Sequence, residues 1–179
     1  MENIRLYQFL LLDETEADRY LGVFQHIKPD DRIGKLKAKK LQELSFGEVL
    51  TIKKCATKDD YIEPFLIVFG ISERKLTRIR VTEFFRAFNW IRDELTVLIE
   101  REKLLNSEPE PEMIEAGIER LDIFKEMNLV IPLSKDYSLH PYTIFDWRYQ
   151  TIFTLLHHGK ISAEIDRNYA EILRKKHAS

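Results

Sequence analysis

Along one stretch of the chain, Phe84, Phe88, Ile91, Leu95 and Leu98 recur at alternating spacings of four and three, and Leu105 stands one heptad beyond Leu98. Such spacing lays side chains along one stripe of an α-helix; a strand, whose side chains alternate faces, cannot use it. Arg86, Arg92, Asp93, Glu94, Glu100, Arg101 and Lys103 cover the rest of the surface. The helix is therefore amphipathic and must bury its stripe against another element. We expect it to run from Glu83 to Leu105 with Thr82 as its N-cap. Nothing else in the chain continues the pattern, which favours packing within the chain over a dimeric coiled coil.

The remaining punctuation is sparse. Six glycines and six prolines in 179 residues, with no Gly/Ser linker and no visible internal repeat, imply long elements joined by short connections. The expected fold is mainly α and helical bundle-like, with room for one short N-terminal strand or hairpin. Ile4 to Leu12 is too short for periodicity to decide and leans to strand. Thr15 to Ile27 reads as a helix through Ala17, Tyr20, Leu21, Phe24 and Ile27. From Lys28, KPDDRIGKLKAKKLQ reads as an exposed connection carrying Lys35, Lys37, Lys39 and Lys40.

The clearest local signal is LSFGEV. Ser45 and Glu48 form a capping box with Leu44 and Val49 at the staple positions, so a helix begins at Phe46. A second start lies near Thr57 or Asp60, where Pro64 is tolerated if it falls in the first turn; a strand remains the alternative for residues 61–71. Ser72 is placed to cap a short turn through Glu73-Arg-Lys-Leu76. The alternating prolines and glutamates of NSEPEPEM resist a continuous helix. They suggest an N-terminal helical region over residues 1–105, a linker over 106–112 and a C-terminal helical subdomain over 113–179. In the latter, helix is expected from Glu112 to Met127, an irregular or extended passage through LVIPLSKDYSL, and helix from Pro141 to His157 stopped by Gly159. Ser162 then caps a last helix ending in Arg174, Lys175 and Lys176.

Composition narrows the function classes. Net charge is −2, with 28 basic and 30 acidic residues, so the whole molecule offers no electrostatic reason to bind nucleic acid or an anionic membrane. The Lys35 to Lys40 cluster is the one local exception and supports an alternative reading as a small regulatory or nucleic-acid-binding module. No window approaches the roughly 18–20 apolar residues of a transmembrane helix, and the Phe9 to Leu12 run lacks the cationic flank of a signal peptide. A lone cysteine, Cys55, cannot form an intramolecular disulfide and fits a cytoplasmic location.

Candidate chemistry is thin. Cys55 has Lys53 and Lys54 beside it but no known nucleophile signature. His157 and His158 project about 100° apart on a helix and suit a helix C-terminus better than one metal ion. The carboxylates Asp59 and Asp60, or Glu108, Glu110 and Glu112, sit in polar connections without an apolar shell to tune them. No phosphate loop, dinucleotide fingerprint, zinc pair or serine-hydrolase motif is present. The expectation is a non-enzymatic protein with no cofactor and no metal site. In FDWRYQTIFTLLHHGK, Phe145, Tyr149, Ile152 and Leu156 share a helical face, with Trp147 and Thr151 beside it. This stripe reads first as core and second as a protein-binding groove. The candidate partner-binding residues are Trp90, Phe145, Trp147 and Tyr149.

Two blocks, Glu43 to Leu95 and Glu115 to Ile172, follow each other in a familiar order. Gly70-Ile71-Ser72 and Leu76 precede a long helix, and Ala116-Gly117-Ile118 with Phe124 opens a second helical block. The chain resembles small bacteriophage tail assembly chaperones and related accessory proteins over about three quarters of its length; the first forty residues fall outside the resemblance. It implies virion assembly through protein–protein interaction: binding of a tail or tape-measure-type component and shielding of its apolar helices. It further implies host-cell cytoplasm or the virion as location and leaves homo-oligomers open. No individual functional residue is carried over.

Overall fold

Ser45 caps its helix as its sequence demands. In the computed structural model, which describes residues 4–24, 26–58, 60–106 and 109–177, the Ser45 N–H donates to Glu48 Oε2 at 2.8 Å. The Glu48 N–H in turn donates to Ser45 Oγ at 3.2 Å, so both ends of the capping box are closed. Leu44 and Val49, the staple positions, are buried.

In order, the elements are α1 (Leu6–Phe9), α2 (Glu14–Phe24), β1 (Arg32–Ile33), β2 (Leu36–Lys37), α3 (Phe46–Ala56), α4 (Glu63–Phe69) and α5 (Glu73–Leu76). They continue as α6 (Val81–Glu102), α7 (Pro111–Glu115), α8 (Met127–Asp136), α9 (Pro141–Ile144) and α10 (Tyr149–His177). Short 3-10 turns occupy Leu41–Glu43, Lys103–Leu105 and Ile118–Phe124. The fold is mainly α, and the two strands form one antiparallel hairpin, Arg32 opposite Lys37 and Ile33 opposite Leu36. Gly34, at φ +57, makes the turn, so the strand content lies in the segment read as a plain connection. Of Ile4 to Leu12, only Leu6–Phe9 is helical, while Arg5 forms an isolated antiparallel bridge with Arg80.

The chain divides into two compact units, Met1–Leu98 and Ile99–Ser179, with the division inside α6. In the first, the α6 stripe meets an aromatic cluster: Phe84 stacks on Phe65 with centroids 4.5 Å apart, and Phe85 stacks on Phe24 at 4.8 Å. Offset stacks of this kind add about 0.5–1.5 kcal/mol beyond area burial. Asn89, on the same helix, is buried yet satisfied, since its amide donates to the carbonyls of Phe24 at 3.2 Å and Ile27 at 3.0 Å. It closes the C-terminal end of α2, where carbonyls lack intrahelical partners. Thr82 is not the cap of α6. The helix begins one residue before it, and Glu83 Oε2 accepts the Arg80 N–H at 3.2 Å.

The second unit corrects several expectations. Helix does not run on from Glu112 to Met127: α7 ends at Glu115, and Gly117, at φ +82, turns the chain into the 3-10 segment. The passage read as irregular or extended is α8, with Pro132 inside it and Val130 and Leu133 buried. Burial of that face outweighs the single backbone bond that proline removes. The Pro141 helix stops at Ile144, and Gly159 and Ser162, expected to end one helix and cap the next, both lie inside the continuous α10.

One local form occurs twice. In α5–α6 and again in α9–α10, a four-residue helix, a four-residue corner and a long helix follow in succession. The Ile79 N–H donates to Leu76 O and the Trp147 N–H to Ile144 O, both at 3.1 Å. Buried positions correspond: Leu76 with Ile144, Val81 with Tyr149, Phe84 with Ile152, and Phe85 with Phe153. The two stretches share apolar placement rather than residue identity, which is why the sequence alone shows no repeat.

Candidate functional site

Within the first unit, α3, α4 and α6 leave an apolar recess of about 190 Å³ between them. Ile52 and Ala56 come from α3, Pro64 and Phe65 from α4, and Phe88, Ile91 and Leu95 from the stripe of α6. Tyr61, 45% exposed, stands at the mouth with its ring edge-on to Phe88, centroids 5.4 Å apart. Asp60 and Arg92 are its charged lining residues.

The connection between α3 and α4 shapes this recess. Asp60 Oδ1 accepts the N–H groups of Ile62 at 3.0 Å and Glu63 at 3.3 Å, which fixes the start of α4 and places Pro64 in its first turn, where its missing N–H costs nothing. Asp60 Oδ2 lies 3.8 Å from the Cys55 sulfur, within range of a weak S–H donation. Burial pushes the Cys55 thiol up, and the negative charge and hydrogen bond of Asp60 push it further. Such a thiol is protonated at neutral pH and a poor nucleophile. Among the described residues no group of three or more His, Cys, Asp or Glu is placed to hold a metal ion. Asp59 and Glu108 lie outside the described residues, and Glu110 pairs with Arg167 at 3.1 Å.

The four residues named from sequence are not one patch. Trp90 is half-buried on α6 in the first unit. Phe145 and Trp147 are half-buried in the corner before α10, Phe145 stacking on Tyr142 at 6.2 Å and Trp147 meeting the ring of Tyr137 edge-on at 5.1 Å. Tyr149 is buried, its ring stacked with Phe153 and its hydroxyl donated to Glu102 at 2.7 Å, so it serves the core of the second unit. His157 packs 5.7 Å from Phe153 and His158 is exposed, both mid-helix rather than at a helix end.

The recess itself was not named from sequence. Its α6 residues had been read as stripe to be covered, and the signal that could have found it is the stripe's length: α3 and α4 are shorter than α6 and leave part of it open. Lys35, Lys37, Lys39 and Lys40 are exposed on and after the hairpin, with Lys37 Nζ 3.7 Å from Asp31 Oδ2. No helix among the described residues is long and apolar enough to cross a membrane. Comparison of the chain with protein families, characterised proteins and solved structures gave no match.

Proposed function

We propose that the protein is a non-enzymatic assembly factor of the phage tail chaperone type, which takes an apolar helix of a long tail or tape-measure-type protein into the recess between α3, α4 and α6. The observation that carries this reading is the recess. At about 190 Å³ it is smaller than the roughly 300–1,000 Å³ of small-ligand clefts, and it suits one large apolar side chain of a partner helix. Its lining is apolar apart from Asp60 and Arg92, which matches helix-in-groove recognition, where apolar anchors enter and charges sit around them.

The test is co-expression with a phage tape-measure-type protein. A soluble stoichiometric complex is expected with the natural chain and loss of that complex with Tyr61→Asp, which changes an exposed residue at the mouth and leaves the fold intact by circular dichroism. A partner that aggregates regardless, or is kept soluble equally by the variant, would sink the reading.

A further inference from the structure

The far half of α10 presents an apolar line that its own unit does not cover. Residues 161–177 are all exposed. Among them Ile161, Ile165, Tyr169 and Ile172 follow at spacings of four, four and three, with exposures of 43, 60, 61 and 51%. These four side chains lie within about 80° around the helix axis. The contacts that anchor this half of the helix use a different face. Lys160 Nζ donates to the carbonyls of Leu104 at 2.9 Å and Asn106 at 2.6 Å, and Arg167 to Glu110 at 3.1 Å. A helix segment of this length without apolar packing is marginal in water, and Gly159 near its root lowers its intrinsic stability further.

The charges beside the line are unevenly distributed along it. Glu164 and Asp166 flank its first part on opposite sides, while Lys175, Lys176 and His177 surround its end. Glu164 makes only a loose contact with Lys160, at 3.9 Å. A parallel pair of such helices would set the cationic ends side by side. In an antiparallel pair centred near Tyr169, Glu164 of each copy lies on the flank of Lys175 of the other. The surface is self-complementary, as a two-fold interface requires.

We infer that α10 pairs antiparallel with α10 of a second copy of this chain through Ile165, Tyr169 and Ile172. This surface is separate from the recess, so the pairing stands or falls independently of the partner proposed for that site. The contact is one helix face per copy, at the low end of stable interfaces, and association in the micromolar range is expected.

Sedimentation of the full chain at about 50 µM, well above a micromolar dissociation constant, should show a dimer that dissociates on dilution. The double variant I165D/Y169D alters only exposed side chains and should sediment as a monomer with unchanged circular dichroism. E164K and K175E should each weaken the homodimer at least tenfold, and an equimolar mixture of the two should restore a heterodimer. With Cys55 buried, Tyr169→Cys should form a disulfide between copies under mild oxidation, whereas Ile161→Cys should not. A monomer at that concentration, a dimer indifferent to I165D/Y169D, or crosslinking through Ile161→Cys as ready as through Tyr169→Cys would overturn the inference, the last because only a parallel pair brings both positions to their own counterparts.

Discussion

The Tyr149 hydroxyl donates a 2.7 Å hydrogen bond to Glu102 Oε1, joining the first residue of α10 to the last residue of α6. Next to it, Arg101 lies over the Phe153 ring at 4.4 Å and donates to Gln150 Oε1 at 3.1 Å. Both contacts lie inside the second unit, and together they set the direction in which α10 leaves its corner. Burial of the ring, then the hydrogen bond to Glu102 and its negative charge, raise the phenol well above its ordinary value.

The folded protein therefore holds the Tyr149 proton to higher pH than the unfolded chain, where release occurs near pH ~10. The stabilisation from this group is fully present below that pH and is lost as pH rises further. Urea midpoints measured between pH 9 and 11 should fall more steeply for the natural protein than for Tyr149→Phe. At neutral pH that variant should be less stable by about 1–2 kcal/mol, because half-buried Glu102 loses a donor.

Two glycine substitutions should have opposite signs. Gly70 ends α4 at φ +60, and alanine there should cost about 1–2 kcal/mol of backbone strain. Gly159 lies within α10, and an added Cβ would meet nothing within 4 Å. Gly159→Ala should stabilise by about 0.5–1 kcal/mol. Thermal or urea denaturation of both variants checks this; destabilisation by Gly159→Ala would mean that the helix breaks there.

Removing one side of the capping box should be visible in the same assay. Ser45→Ala leaves the Glu48 N–H without its acceptor and should lower stability by about 1 kcal/mol.

Cys55 should react slowly with a thiol reagent in the native protein, because it is buried and its pKa is raised. Labelling should stay slow through pH ~8.5, where an ordinary free thiol is half ionised, and should accelerate on denaturation. Fast native labelling at neutral pH would contradict the packing of the α3–α4 connection.

Features governed by neighbours in sequence were legible in advance. The capping box at Ser45 and the stripe on α6 each depend on residues within one or two helical turns, so spacing and residue type suffice to read them; the same signals narrow the start of α4 only to near Thr57 or Asp60 and leave a strand open. Features decided by contacts between distant segments were not. Nothing in the sequence around Asn89 marks it as buried, yet its amide closes the end of α2. Tyr149 looked available to a partner, yet Glu102 takes its hydroxyl and Phe153 its ring.

Helix ends show the same division. Ser138, at φ +53, occupies the left-handed position after α8, with the Leu139 N–H donating to Ser134 O at 2.8 Å and the Ser138 N–H to Lys135 O at 3.1 Å. That closure ordinarily announces itself with glycine, so serine there hid the end of the helix, while Gly159 announced an end that does not exist. The sequence by itself determined that the chain is helical and that α3 begins at Phe46, because capping and periodicity are local. Only the tertiary structure decided which apolar faces are covered, because that depends on the lengths and directions of the helices packed against them: it buried Tyr149, left the recess beside Phe88 open, and exposed the line from Ile161 to Ile172.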